Sequence, residues 1–332
     1  MFELKNKNNS FFNVTFQKLS PNRELWTDFL WAIFREISLE DFVKYFANEY
    51  SEAMQYIDLC DGKRACQKTS LLFNPHRLDT RTKTSKNSVF SALKDRSFIS
   101  GLVRASFFKK NKYNNSDLLY QVLQIGINGV QFSNEFPPHI ARDVCKRYGI
   151  RENSRVLDPC AGWGGRMIGI STISDYYQGF DPSTKTCIGL NKLSKYLTLL
   201  RPSFNGVISC IPYEKVEIKE DFYDIAITSP PYFDTENYSD EPTNSLNLYQ
   251  SFDKWVAGFY KPLINNTMKA IKRGRPFILN IGSRVYPLNK ILFEIANNNG
   301  FKVKKLENML QGNTGLGKSG EGEAFYEVSK PF

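Results

Sequence analysis

VLDPCAGWGGR, Val156 to Arg166, decides how the chain folds. A short β-rich run ends in Asp158. Gly162, Gly164 and Gly165 fill the turn, and an apolar helical pattern follows at once. Glycines are needed where backbone takes φ > 0 or comes close to a ligand. The turn is not the dinucleotide pattern G-x-G-x-x-G, because its third glycine is missing. Strand, glycine turn and helix in this order open a parallel α/β sheet, with the binding crevice at the carboxyl ends of its strands.

Outward from this turn the alternation continues. β-rich runs fall at 155–158, 176–181, 207–211, 224–228 and 276–281, and helical patterns lie between them at 166–174, 184–200, 248–272 and 287–299. Five strands separated by helices predict a doubly wound parallel sheet. Two last runs, 302–309 and 324–329, have no helix between them and predict a closing antiparallel hairpin. The expected class is therefore α/β, a mostly parallel seven-stranded sheet, with a mainly helical and basic N-terminal region before it. The expected division is 1–130 for that region and 131–332 for the sheet.

The N-terminal region reads differently. Ser20-Pro21 predicts a helix start. Leu25, Phe29, Ile33 and Ile37 recur every four residues, with Trp26, Leu30 and Phe34 beside them. These stripes are expected in a core. Ser38 restarts a helix whose apolar face continues through Phe42, Phe46 and Tyr50. The chain carries a net charge of +10, most of it in this part: residues 61–113 hold 13 Lys and Arg against only Asp61, Asp79 and Asp95. Phe90, Phe98, Phe107, Phe108 and Tyr113 are interleaved, the composition of a nucleic-acid face.

Other classes are excluded by composition. No run of about 18 apolar residues is present, so no membrane span is expected. The opening MFELKNKNNS lacks the apolar stretch of a signal peptide. Six cysteines without a CxxC pair, and two histidines, predict reduced thiols in a cytoplasmic protein and no metal site.

Two further strand ends carry chemistry. YYQGFD ends in Asp181, about twenty residues after the glycine turn, where an acid accepts from both hydroxyls of a ribose. TSPPYF, Thr228 to Phe233, follows the fourth strand. Two prolines with fixed φ and no N–H hold the Ser229 side chain and the Pro230 carbonyl outward, and present Tyr232 as a flat ring. Acceptors beside a ring suit an exocyclic amino group on a stacked base.

With both motifs in this order, the chain resembles the S-adenosylmethionine-dependent DNA methyltransferases that modify the exocyclic nitrogen of cytosine or adenine. DPCAGWGG resembles their cofactor loop, with Cys160 where phenylalanine is usual. SPPY resembles their catalytic tetrapeptide. NEFPPHIARDVCKRYG, Asn134 to Gly149, is similar to the segment that precedes the cofactor loop. The resemblance covers roughly residues 130–332.

It implies a Rossmann-like methyltransferase fold with S-adenosylmethionine as cofactor and no metal. Phe136, Pro137, Asp158, Pro159, Ala161, Gly162, Trp163, Gly164, Asp181 and Glu214 would line the cofactor. Asp158 would lie near its methionine part, Asp181 on the ribose and Glu214 by the adenine. Ser229, Pro230, Pro231 and Tyr232 would hold a base flipped from double-stranded DNA. Serine at position 229 is commoner in cytosine-N4 enzymes, so cytosine is favoured over adenine-N6. RNA bases are the less favoured substrate. An inactive fold serving as a nucleic-acid-binding subunit would need a broken loop or tetrapeptide, and both are whole. The basic N-terminal region is the expected recognition module, because the polar stretch 234–245 is too short for one.

One competing motif remains. GNTGLGKS, Gly312 to Ser319, fits the phosphate-loop pattern at every position. That mechanism requires a strand before the loop and a helix after it. A β-rich run follows instead, so the stretch is expected to be a hairpin loop, with Lys318 at most touching a DNA phosphate.

Overall fold

Burial along the strands already ranks them from centre to edge. Phe277–Ile281 and Ile225–Thr228 are buried at every residue, whereas Asn205–Cys210 and Lys302–Leu306 have no buried residue. A strand covered on both faces reads as a continuous apolar run, and these sequences, FILNI and IAIT, do so. The structure, a computed structural model, describes residues 23–47, 49–82, 87–108, 133–306 and 323–331.

The sheet strands are β1 (Arg155–Asp158), β2 (Tyr176–Asp181), β3 (Asn205–Cys210), β4 (Ile225–Thr228), β5 (Phe277–Ile281), β6 (Lys302–Leu306) and β7 (Ala324–Ser329). Their order is β3-β2-β1-β4-β5-β7-β6. The first five are parallel, and β7 runs antiparallel to both β5 and β6. Helices cover both faces. One core gathers Ile140, Val144, Met167, Leu190 and Leu193, and the other Trp255, Tyr260, Leu263 and Leu292. This is the doubly wound, mostly parallel seven-stranded sheet expected from the sequence. The chain winds outward from β1 to β3 and returns to β4 beside β1, so the switch of direction opens a crevice between the ends of β1 and β4.

The chain divides into two units. Among the described residues, one takes 23–47, 75–82, 87–108 and 133–134; the other takes 49–74, 135–306 and 323–331. The stretch 49–74 therefore lies with the sheet, inside the range 1–130 read as the N-terminal region. Its attachment is visible. The guanidinium of Arg142, buried in helix Pro138–Arg147, donates to the carbonyls of Leu59, Gly62 and Lys63 at the end of helix Glu49–Cys60. Tyr56 and Ser171 share a buried hydrogen bond of 2.9 Å.

The other unit contains helices Arg23–Phe34, Leu39–Phe46, Val89–Ala92 and Arg96–Phe108. Ser38 caps the second, accepting from the Asp41 amide at 3.1 Å. Its core holds Leu30, Phe34, Phe42, Val89, Leu93 and Phe98. Leu25, read as core, is 51% exposed, because the first helix buries its Thr27–Leu30–Phe34 line instead. Tyr50, placed on the apolar face of the second helix, is 77% exposed and belongs to the next one.

Several basic residues of the 61–113 run serve the fold. Lys94 donates to the carbonyls of Phe34, Arg35 and Ile37, capping a helix end with charge. Arg96 pairs with Asp28 and Glu24 at 2.7 Å each. Arg77 is buried and donates to the Ser133 carbonyl. Arg81 and Arg104 are exposed.

The helix expected at 248–272 is broken. Ser251 starts a new segment by accepting from the Lys254 amide, and the helix passes through a wide π turn at Val256–Tyr260 before Lys261–Ala270. Pro262, in the first turn after it, lacks the N–H that a regular helix would use. The expected helix start at Ser20-Pro21 and the motif Gly312–Ser319 lie outside the described residues. No helix among the described residues is long and apolar enough to cross a membrane. All six cysteines are free thiols.

Candidate active site

The loop after β1 is organised by one buried carboxylate. Asp158 is fully buried. Its Oδ1 accepts from Thr228 Oγ1 at 2.7 Å and from the Cys160 amide at 3.3 Å. Its Oδ2 accepts from Arg166 Nε at 2.7 Å and Tyr177 Oη at 2.8 Å. Four donors fill its acceptor sites. Asp158, expected near a methionine end, is thus the junction of β1, β2, β4 and the following helix. Arg166 also donates to the Cys160 carbonyl, and its guanidinium lies over the Phe136 ring, 5.1 Å from the centroid.

The glycines then shape the loop. Gly162 has φ 55° and Gly164 φ 95°. Gly164 caps helix Gly165–Ser171, and a Cβ on it would lie 2.5 Å from Leu193 Cδ2. No other residue fits there without a shift. Pro159 and Ala161 are buried, and the Ala161 amide donates to the Phe180 carbonyl at 2.8 Å. Trp163 is buried too; its carbonyl accepts from Asn74 Nδ2 at 3.1 Å. Pro137 is the N-cap of helix Pro138–Arg147, and Phe136 meets Phe325 edge-on at 5.8 Å.

Asp181 ends β2 and faces this loop. Its carboxylate accepts from the Gly162 amide at 3.2 Å and the Ser183 amide at 2.9 Å. Burial pushes the carboxyl up to about 7, against the pull of those two amides. Glu214 lies in the turn Tyr213–Lys215 after β3 and accepts from Tyr249 Oη at 3.2 Å. Burial raises it as well. Two partly buried carboxylates therefore stand at the ends of neighbouring strands, each with acceptor capacity to spare.

The corner after β4 is built from rings. Ser229 Oγ and Tyr232 Oη are 3.2 Å apart. Pro230 is buried; Ser229, Pro231 and Tyr232 are half-buried. Thr235 turns back to the Tyr232 carbonyl, donating from Oγ1 at 2.7 Å. Phe233 has φ 53°, a strained conformation for an aromatic residue. Its ring is clamped by Phe252 at 5.6 Å, Trp255 at 5.9 Å and Tyr286 at 5.4 Å. Tyr286 Oη in turn donates to Asp234 at 2.6 Å. The clamp holds the strain and so fixes where Ser229 and Tyr232 point.

Thr228 joins the two corners. Its hydroxyl accepts from the Cys160 amide at 3.1 Å while donating to Asp158. The residue before the tetrapeptide and the loop after β1 are thereby one rigid piece.

Three carboxylates and a ring at this edge escaped the sequence reading. Glu241 reaches from the loop after the tetrapeptide to the start of helix Thr184–Leu200, accepting from the Thr184 amide at 3.0 Å, Thr184 Oγ1 at 2.8 Å and Ser183 Oγ at 3.1 Å. Burial opposes its charge, but these donors prevail and hold its carboxyl below the usual range. Tyr238 packs edge-on to Trp163 at 6.1 Å. Glu323 and Asp234 complete the set. Glu241 follows the ring of Tyr238 by three residues in a polar loop, whereas no such pattern marks Glu323. No cluster of His, Cys, Asp and Glu suited to a metal occurs among the described residues.

No protein-family model and no curated protein matches the chain. Some solved structures are similar to it at low identity. Magnesium protoporphyrin IX methyltransferase from Synechocystis, with bound S-adenosylmethionine, is 14% identical, covering 58% of this chain and 79% of that one at a TM-score of 0.41. An S-adenosylmethionine-dependent methyltransferase from Clostridium acetobutylicum is 10% identical over 59% of this chain and 91% of that one, at 0.42. An rRNA methylase from Streptococcus thermophilus is 13% identical over 60% and 98%, at 0.38. Likenesses of this order say nothing of substrate.

Proposed function

We propose that the chain transfers a methyl group from S-adenosylmethionine to the exocyclic amino nitrogen of a base flipped out of double-stranded DNA, with N4 of cytosine favoured. The observation that carries this reading is the Thr228–Asp158–Cys160 junction. It ties the tetrapeptide to the glycine loop, so that a nucleoside cradle and an amino-group acceptor pair share one rigid edge.

The residues present fit the cofactor. Positive φ at Gly162 and Gly164 turns the loop at the carboxyl end of β1, beside the crevice. Asp181 keeps acceptor capacity for ribose hydroxyls, and Glu214 for an adenine amino group. When bound, the cofactor supplies an electrophilic methyl on a sulfonium. Ser229 Oγ and the Pro230 carbonyl accept the two amino hydrogens of the base, drawing the nitrogen lone pair out of conjugation. Tyr232 stacks on the base and offsets the loss of stacking in the duplex. The clamp on Phe233 keeps these groups in place, so catalysis comes from orientation and fixed dipoles.

The helical unit is the proposed recognition module. Its internal use of Lys94, Arg96 and Arg77 leaves Arg81 and Arg104 among the exposed cations for phosphate contact. Incubation with methyl-labelled cofactor and DNA or RNA, followed by digestion to nucleosides, tests the reading. Label in N4-methylcytosine from DNA is expected. Label in N6-methyladenine changes the base, label only in RNA changes the polymer, and label in neither nucleic acid rejects the reading.

A further inference from the structure

Three strand ends meet beside the tetrapeptide. Thr228 of β4 pairs with Leu279 of β5, so Ser229 and Asn280 follow side by side at the carboxyl edge. Ile281 of β5 pairs with Ala324 of β7, which brings Glu323 to the same edge. Gly282 leaves room between them: a Cβ there would lie 3.2 Å from Tyr232 Cε2 and 3.4 Å from Glu323 Cγ. Tyr232 and Glu323 are thus neighbours across a residue without a side chain.

The polar atoms form a chain. Ser229 Oγ lies 3.2 Å from Tyr232 Oη, and the Tyr232 phenol, beside Glu323 across Gly282, favours the charged form of that carboxylate. Asn280 Nδ2 donates to Glu323 Oε2 at 3.4 Å. Asn280 is 6% exposed, and its Oδ1 has no hydrogen-bond partner among the described residues. Leaving a buried acceptor unmet is costly. The amide is turned to serve Glu323 at that cost.

Counting hydrogens gives the chain a direction. Serine and tyrosine hydroxyls have one donor each. If Glu323 is ionised, Tyr232 donates to it and Ser229 donates to Tyr232. Ser229 then has only lone pairs left for an incoming amino group. If Glu323 is protonated, each bond reverses and Ser229 presents its hydrogen instead, which repels the amino group.

We propose that Glu323 ends a relay, Ser229–Tyr232–Glu323, that turns the Ser229 lone pair toward the target amino group and takes up the proton this nitrogen sheds. The proposal rests on the amino-methyl-transfer reading above. As the new N–C bond forms and the C–S bond breaks, the nitrogen becomes positively charged. Its surplus proton passes to Ser229 Oγ, the Ser229 proton to Tyr232 Oη, and the Tyr232 proton to Glu323. One N–H bond is lost and one O–H bond is gained on the carboxylate, so the positive charge on nitrogen and the negative charge on Glu323 cancel. Release of that proton to water restores the starting direction. Burial raises the Glu323 carboxyl, against the pull of the Asn280 amide from β5 and the Tyr232 phenol, the groups that act on it. It therefore accepts a proton more readily than a surface glutamate.

Single-turnover transfer measured across pH, with cofactor and DNA saturating, tests the relay. Saturation keeps Asp181 and the cofactor site out of the profile. The wild-type rate is expected to fall on the acid side as the relay reverses. Glu323→Gln is expected to be about 100-fold slower with no acid limb, while Kd for cofactor and DNA stay unchanged. Tyr232→Phe keeps the ring, cuts the relay and is expected to give the same flat profile. Infrared difference spectra of the cofactor-free protein, wild type against Glu323→Gln, should show one carboxyl that titrates above the usual range and shifts in Tyr232→Phe. A Glu323→Gln enzyme with wild-type rate and acid limb overturns the relay alone, as does a carboxyl signal insensitive to Tyr232→Phe. Wild-type protein that methylates no base overturns the relay and the reading together.

Discussion

The corners after β1 and β4 lie side by side in one sheet, yet they are made rigid by different means. The first hangs on a carboxylate: Asp158 gathers four donors, and glycines let the backbone follow. The second hangs on rings: Phe233 is strained, and Phe252, Trp255 and Tyr286 hold it there. A hydrogen-bonded hub fixes backbone, as the proposed nucleoside site requires. An aromatic clamp fixes the side chains that, on the proposed reading, meet the substrate. The first corner should therefore answer to mutation in stability and cofactor affinity, and the second in rate.

The largest expected effect breaks the hub. Asp158→Ala leaves the buried Arg166 unpaired, and loss of one partner of a buried pair costs about 3–5 kcal/mol. Chemical denaturation should report that loss in the absence of any ligand. Next is the other corner. Ser229→Ala removes one preorganised acceptor, worth about 3 kcal/mol in the transition state. Methyl transfer should slow at least 100-fold, with the denaturation midpoint and cofactor affinity unchanged. A Ser229→Ala protein that loses cofactor affinity would erase the contrast between the corners.

Smaller effects sharpen it. Gly164→Ala meets both a φ of 95° and the side chain of Leu193, for about 2 kcal/mol of stability. Its cofactor affinity should fall in parallel. Cofactor binding should also depend on pH through Asp181. The ionised carboxylate is the form that accepts from ribose hydroxyls, and burial places its titration at about 7. As pH drops below 7 the proton competes, and affinity should weaken about tenfold per unit, or ~1.4 kcal/mol. Above 7 it should be flat, and Asp181→Asn should remove the slope. The smallest effect is at Glu241, whose removal costs the helix start at Ser183–Thr184 about 1 kcal/mol. Thermal unfolding of Glu241→Ala measures it.

Much of this was legible before any coordinates. β1, β2 and β7 lie where short apolar runs end in turn residues, and Asp181 was found from its place at the end of the second strand. Gly162 and Gly164 announced their positive φ by identity alone. What escaped depends on which residues the sheet register makes neighbours. Thr228, Tyr177 and Arg166 converge on Asp158 from 70, 19 and 8 residues away, and no local pattern marks that meeting. Glu323 and Asn280 meet because β7 returns antiparallel beside β5. The basic run misled in part for the same reason. Composition counts Lys94 and Arg77 as surface charge, whereas the fold spends both on buried or half-buried carbonyls.

Nucleosides from the DNA of cells that express either the wild-type chain or Ser229→Ala test the central claim most directly. Mass spectrometry should find N4-methylcytosine, or N6-methyladenine, with the wild type and neither with the variant. Equal modification in both, or no amino-methylated base in either, would contradict the assignment of methyl transfer to the corner after β4.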